Sequence, residues 1–143
     1  MQRFEALREL SREHHEALVL ARRARDAAAE PHSAATQAQC AHLLERWAAQ
    51  FKPHFALEEQ TLLPALARAG QAASAAVALQ QHAALRQLVE RIRGGDAHAL
   101  ALWGEAMDTH VRFEERALFP LAETVLGPSV LADVMDRPAI DPV

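Results

Sequence analysis

A short phrase occurs twice in this chain, 56 residues apart, and it fixes which helix faces must meet. The first copy is His54-Phe55-Ala56-Leu57-Glu58-Glu59, followed by Leu62 and Pro64. The second is His110-Val111-Arg112-Phe113-Glu114-Glu115, followed by Leu118 and Pro120. Upstream, Trp47 corresponds to Trp103 and His42 to His98 at the same offset. His and Glu four residues apart share one face of a helix. Two such pairs in matching contexts predict two helices that present imidazole and carboxylate to a common centre.

The rest of the chain reads as helix around that repeat. A 3.6-residue apolar period predicts helices over about 2–28, 33–68, 72–93 and 97–126, with a short one near 129–136 and a loose tail from Arg137 to Val143. Ser33 and Asp96 stand where N-caps are needed; Gly70, Gly94-Gly95 and Gly127-Pro128 stand where helices stop. Pro53 and Pro64 fall inside the second helix and predict kinks, because each removes a backbone donor. The inward stripes are Leu7, Leu10, Leu18 and Ala21; Leu43, Leu44, Trp47, Phe51 and Leu62; Leu79, Leu85, Leu88, Val89 and Ile92; and Leu100, Trp103, Met107, Phe113 and Leu118. Four long helices on short loops predict an all-α, up-and-down antiparallel four-helix bundle, a single domain over 1–143 with its core in about 2–126.

Composition narrows the function. The 143 residues suffice to bury one core, and half of them are hydrophobic. A net charge of −4 argues against a nucleic-acid partner. Cys40 is the sole cysteine, which excludes an internal disulfide, a thiolate zinc site and a C-x-x-C-H haem attachment. The start, Met1-Gln2-Arg3-Phe4-Glu5, lacks the apolar segment of a secretion signal, and no apolar run of spanning length is read, so the expectation is a cytoplasmic protein with no membrane partner.

Each of the four inward stripes carries one histidine: His14 (or its neighbour His15), His54, His82 and His110. A polar group at a core position costs on the order of 2–7 kcal/mol unless it is satisfied. Four of them facing one interior, joined by Glu58 and Glu114, need a shared partner, and a metal centre supplies one. Helical phase favours His14, because His15 would bring Arg8 and Arg22 onto the inward line. The sequence His15-Glu16-Ala17-Leu18, however, matches His82-Ala83-Ala84-Leu85, which leaves His15 in play as a ligand or as a supporting group. Glu59 and Glu115 lie about 100° further round the helix, as supporting or surface groups that stand ready to replace a neighbour. His32, His42 and His98 read as surface or loop residues. Imidazole and carboxylate without thiolate suit iron, manganese or zinc. Six ligands suit two ions better than one, with the carboxylates bridging and positions left for an oxo bridge, water and a small ligand.

These residues resemble the hemerythrin family, specifically the hemerythrin-like HHE cation-binding domains. The likeness rests on the His14-His15 pair, the two His-x-x-x-Glu-Glu-x-x-Leu-x-Pro segments and the isolated His82, and it spans about residues 7–126. It implies a four-helix bundle holding a non-haem di-iron centre, two iron ions with an oxo or hydroxo bridge. Carried over, His14 or His15, His54, His82 and His110 are the imidazole ligands, and Glu58 and Glu114 the bridges. Oxygen-carrying members have a further His four residues from the one on the third helix; here those positions are Ala78 and Arg86. Their last helix has an Asp five after its His, where this chain has Glu115, with Glu114 one residue closer. The pattern is nearer the four-His, two-Glu variant associated with iron-centre repair and nitric-oxide response, although the cysteine-bearing N-terminal segment of those repair proteins is not read here.

Three functions follow as expectations. The first is a binding protein for O₂ or NO, serving storage, sensing or detoxification behind an apolar wall of Trp47, Phe51, Phe55, Trp103 and Phe113. The second is an enzyme reducing peroxide, NO or O₂. The third is a helical bundle that uses no metal. The absence of tyrosine argues against a radical-generating enzyme. Oligomeric state is not legible.

Overall fold

A computed structural model describes residues 2–27 and 29–136. Among them regular structure is helical, with no strand. The tail expected from Arg137 lies outside the described residues. Backbone hydrogen bonding runs through three continuous stretches rather than four: Glu5–Ala27, Ala34–Arg93 and Ala99–Met135. The first is α1 (Glu5–Ala27). The second contains α2 (Ala34–Arg46), α3 (Lys52–Leu57), α4 (Leu63–Leu66) and α5 (Ala72–Arg93), and the third contains α6 (Ala99–Phe113) and α7 (Phe119–Met135).

The 60-residue second stretch is not a rod. Gly70 sits at φ 87°, a left-handed conformation that glycine adopts without a Cβ penalty. His82 Nδ1 lies 2.7 Å from Glu59 Oε2, although 23 residues separate them. Along a straight helix that separation would span about 35 Å. The chain therefore doubles back at Gly70, and the stretch supplies two limbs. Gly127, at φ 75°, bends the third stretch in the same manner. Beyond it Leu131 and Val134 are buried, and Thr61 donates a hydrogen bond to Met135 Sδ at 3.4 Å, so the last two turns fold against the second stretch. By length and composition alone these two stretches meet the requirement for crossing a membrane, where no run of spanning length was expected; both are broken at a glycine.

The prolines act through the local turn type. Wide π-type turns at Trp47–Phe51, Glu58–Leu62 and Glu114–Leu118 each precede a proline one or two residues on, Pro53, Pro64 and Pro120. A π turn shifts hydrogen bonding to i→i+5. The missing N–H of the proline is thus absorbed by a widened turn instead of a break. Two of these turns begin at Glu58 and Glu114, so the Pro of the repeated phrase lies downstream of a widening that starts at its first Glu.

Ser33 caps α2 as expected, accepting from the Thr36 N–H at 3.1 Å. Asp96 accepts from the His98 N–H at 3.1 Å, and α6 begins at Ala99, two residues later than the pattern predicts. The start of α1 is tied down from afar: buried Glu123 accepts from the Phe4 N–H at 2.5 Å and from Arg3 at 2.8 Å. α6 packs on both α1 and α5. At Gly104 the approach to α1 is so close that a Cβ would meet Ala21 O at 2.6 Å and Arg25 Cγ at 2.8 Å.

Two apolar clusters fill the interior. One holds Ala17, Phe55, Leu85 and Val111; the other holds Leu10, Leu62, Ala78 and Leu118. Every limb crosses from one cluster to the other, and the residue at each crossing is His14, Glu58, His82 or Glu114. The polar level is therefore sealed by hydrocarbon above and below. Five expected core residues sit differently: Leu79 is 45% exposed, and Leu18, Leu44, Leu88 and Phe113 are half-buried.

Candidate metal centre

His14 and Glu114, His54 and Glu58, and His82 and His110 are all buried, with both carboxylates at 0% exposure. They form two overlapping groups. His14, His54, Glu58 and Glu114 make one; His82, His110, Glu58 and Glu114 make the other; within each, one donor atom per residue lies within 4.8 Å of all the rest. Glu58 and Glu114 belong to both. Of the remaining candidates, His15 is exposed and lies in neither group, as are His32, His42 and His98. His15 and His14 differ by one residue, and a helix turns about 100° per residue, so only one of them can face the interior.

The donor atoms point at one another without satisfying one another. His54 Nε2, His82 Nε2, His110 Nε2, both Glu58 oxygens and Glu114 Oε2 are buried and lack a hydrogen-bond partner among the described residues. Contacts such as His82 Nε2 to Glu58 Oε1 at 3.1 Å and His110 Nε2 to Glu114 Oε1 at 3.3 Å are close but not aligned as hydrogen bonds. His14 Nε2 does bond Glu114 Oε1, at 3.0 Å. Six orphaned buried atoms in a sealed layer would each cost about 1–3 kcal/mol. A cation at each group removes that penalty, and the nitrogen and oxygen donor set fits iron, manganese or zinc.

The far side of each ring explains why Nε2 is the inward donor. His14 Nδ1–H donates to Glu115 Oε2 at 2.8 Å, His54 Nδ1–H to Glu13 Oε2 at 2.8 Å, and His82 Nδ1–H to Glu59 Oε2 at 2.7 Å. Ionised carboxylates only accept, so each of these rings keeps a proton on Nδ1, and Nε2 is the atom that would bind a metal once any proton there, such as the one His14 shares with Glu114, is displaced. The fourth ring differs: His110 Nδ1 faces the amide oxygen of Gln81 at 2.6 Å. The second Glu of each repeat thus braces the histidine of another limb. Glu13 and Gln81, each immediately before an inward histidine, brace the histidines of the repeats; sequence reasoning singled out neither. Arg86, at one of the two positions four from His82, turns to Glu59 with contacts of 2.8 and 3.0 Å, and Ala78 is fully buried.

Aromatic rings fix two of the imidazoles. Phe55 stacks on His82 with centroids 3.9 Å apart, and Phe119 stacks on His14 at 5.4 Å. Phe55 was expected in the wall; Phe119 was not.

Electrostatics without metal follow from burial and these contacts. Burial drives the His54 pKa down, but the Glu58 charge, the nearby Glu114 carboxylate and the hydrogen bond to Glu13 overcome it and hold the group well above its ordinary value. His14 and His82 are raised in the same way against their desolvation, by Glu114 with Glu115 and by Glu58 with Glu59. Burial pushes Glu114 up, and His110, His14 and His54 more than reverse it, leaving it well below the ordinary carboxylate range. Glu59 is likewise pushed up by desolvation and pulled down further by His82 and Arg86, to about 2. In the metal-free layer His14, His54 and His82 hold protons more tightly than usual, and a divalent cation would displace them.

A cavity of about 300 Å³, lined in part by Leu10, Glu13, Pro53, His54, Leu57 and Met135, reaches the layer at His54. A larger one of about 540 Å³ runs along the outside of α5 and α6 and touches the layer only through Gln81.

No curated protein and no solved structure matches the chain. The family model described as the hemerythrin HHE cation binding domain matches residues 5–122. With that span and a sealed layer of histidine and glutamate, the chain belongs to the hemerythrin HHE cation-binding family.

Proposed function

We propose that the protein holds two iron ions bridged by Glu58 and Glu114, and that it binds O₂ or NO at the pair. The four limbs, 5–27, 34–69, 72–93 and 99–126, are read as an up-and-down antiparallel four-helix bundle around them. The observation that carries this reading is the overlap of two four-residue groups in two shared carboxylates. One ion would leave half of the imidazoles orphaned. When bound, the pair supplies Lewis acidity and one-electron redox chemistry. The chain supplies the rest. His14 and His54 hold one ion, and His82 and His110 the other. Each ion has four protein donors, so six-coordinate ions keep room for a small exogenous ligand. Phe55, Phe119 and the two apolar clusters shield the pair above and below, and the cavity at His54 would admit a diatomic molecule.

Elemental analysis of purified protein tests the pair: about two irons per chain supports it, and one zinc or none overturns it. Zinc or manganese can enter the same donors in vitro. Exposure of the anaerobic reduced protein to O₂ and, separately, NO tests the ligand; new near-ultraviolet charge-transfer absorption is expected, and unchanged spectra with both gases overturn gas binding.

One observation favours a second reading, reduction of peroxide, NO or O₂ at the same centre. Glu13 both lines the cavity and accepts from His54, which puts a carboxylate beside the route of entry. Consumption of peroxide or NO no faster than by free iron counts against it.

A further inference from the structure

The two cation positions are related by a pseudo-symmetry that is broken at one pair of residues. Around the first, His14 is braced by Glu115 and His54 by Glu13. Around the second, His82 is braced by Glu59 and His110 by Gln81. Glu13 precedes His14 as Gln81 precedes His82, so the two residues occupy equivalent places and differ only in replacing a carboxylate by an amide.

We infer that Glu13 and Gln81 make the two positions unequal, so that the first, at His14 and His54, takes up a divalent cation before the second. This rests on the metal reading above and concerns the order of filling, not the metal's identity. The warrant is ligand basicity. A carboxylate accepting from Nδ1–H pushes electron density toward Nε2 and stabilises positive charge there, and loss of such a partner typically weakens metal affinity about 10–100-fold. A neutral amide gives orientation without the charge.

The surrounding cations act in the same direction. Glu59, behind the second position, is clamped by Arg86 through contacts of 2.8 and 3.0 Å. The Glu115 carboxylate, behind the first, has Arg3 no nearer than 3.6 Å; that guanidinium bonds the Glu115 backbone oxygen at 3.0 Å and Glu123 at 2.8 Å, and the carboxylate accepts from Ser11 at 2.8 Å. Glu13 has no arginine on it among the described residues. The bracing groups of the first position thus carry two carboxylates and one cation held 3.6 Å off, mainly on other acceptors. Those of the second carry one carboxylate, one cation in direct contact and an amide.

Titration of metal-free, ¹⁵N-histidine-labelled protein with Zn²⁺, followed by NMR of the ring nitrogens, reads each position separately. With up to one equivalent, His14 and His54 shift first, with at least about tenfold preference over His82 and His110. Gln81→Glu raises the second position and Glu13→Gln lowers the first, so each narrows the preference. The double exchange shifts it in the opposite sense to the wild type. Both residues are partly solvent-facing, so the isosteric changes leave the fold readable by the same spectra. Equal filling in the wild type overturns the inference, as does a preference that neither single variant moves. Uptake at neither position overturns the metal reading itself and this inference with it.

Discussion

The two copies of the repeated phrase do the same thing at their first Glu and different things around their His. Glu58 and Glu114 both point into the layer and belong to both four-residue groups. Their histidines part company on the outer side, where His54 meets a carboxylate and His110 an amide. They differ again six residues upstream of the His. Gly104 lets α6 close on α1, while its counterpart in the first copy, Ala48, is exposed. What must be shared by both positions is duplicated; what faces one neighbouring limb has diverged.

The most damaging way to break the comparison is at the shared carboxylates. Glu114→Gln keeps the shape and removes the charge that His14, His54 and His110 surround. Removing one member of a buried charged pair costs about 3–5 kcal/mol. The variant is expected to lose that much stability in urea unfolding without metal, and to fall below two metal ions per chain. Glu58→Gln should show the same metal loss. If one bridge variant keeps both ions, the duplication is formal and only the other carboxylate spans the pair.

The second break is at the diverged position. Gly104→Ala puts a methyl 2.6 Å from a backbone oxygen of α1, and backbone cannot swing aside as a side-chain end does. Overpacking of this kind costs about 1–3 kcal/mol. Because α1 carries Glu13 and His14, the strain falls on the first cation position. Ala48→Gly, at the matching place in the other copy, alters only an exposed helical site and should cost about 1 kcal/mol. Chemical denaturation of both variants ranks them.

Much of this was legible because helices repeat simply. Phase alone put His54, Glu58, His110 and Glu114 on inward faces and favoured His14 over His15. What stayed hidden depends on which limb lies next door. Glu13 and Gln81 are 100° from the inward line, on flanks whose neighbours only the fold defines; the signal available was their shared place just before an inward histidine. Leu79 was expected inside from the apolar period of its helix. The helix instead buries the small residue beside His82 and turns the leucine out. The prolines suggested kinks, yet the chain widens into π turns, an outcome that local propensity does not encode.

Protonation sharpens the comparison at smaller amplitude. In the metal-free protein the raised pKa values of His14, His54 and His82 give stability that is fully present below their ordinary value of 6.5 and is lost as pH climbs through the raised values. The lowered carboxylates Glu59, Glu114 and Glu115 give stability present above 4.5 and lost as pH falls through their depressed values, about 2 for Glu59. Metal-free protein should therefore be most heat-stable between about pH 4.5 and 6.5. Metal needs unprotonated rings, so the rise in melting temperature on adding Zn²⁺ should grow with pH above that window. A metal-free protein whose melting temperature increases steadily from pH 6 to 8 contradicts the network.

The smallest effect belongs to the residue next to His14. His15 is exposed and lies outside both groups, so His15→Ala should change stability by no more than about 0.5 kcal/mol and leave the metal content alone. His14→Ala, one position away, removes a donor to the first position together with the ring that stacks on Phe119 and joins Glu114 to Glu115. Elemental analysis of the pair therefore measures what one residue of helical phase is worth here. Metal loss in His15→Ala comparable to that in His14→Ala would mean that α1 turns its other histidine inward when the cations arrive.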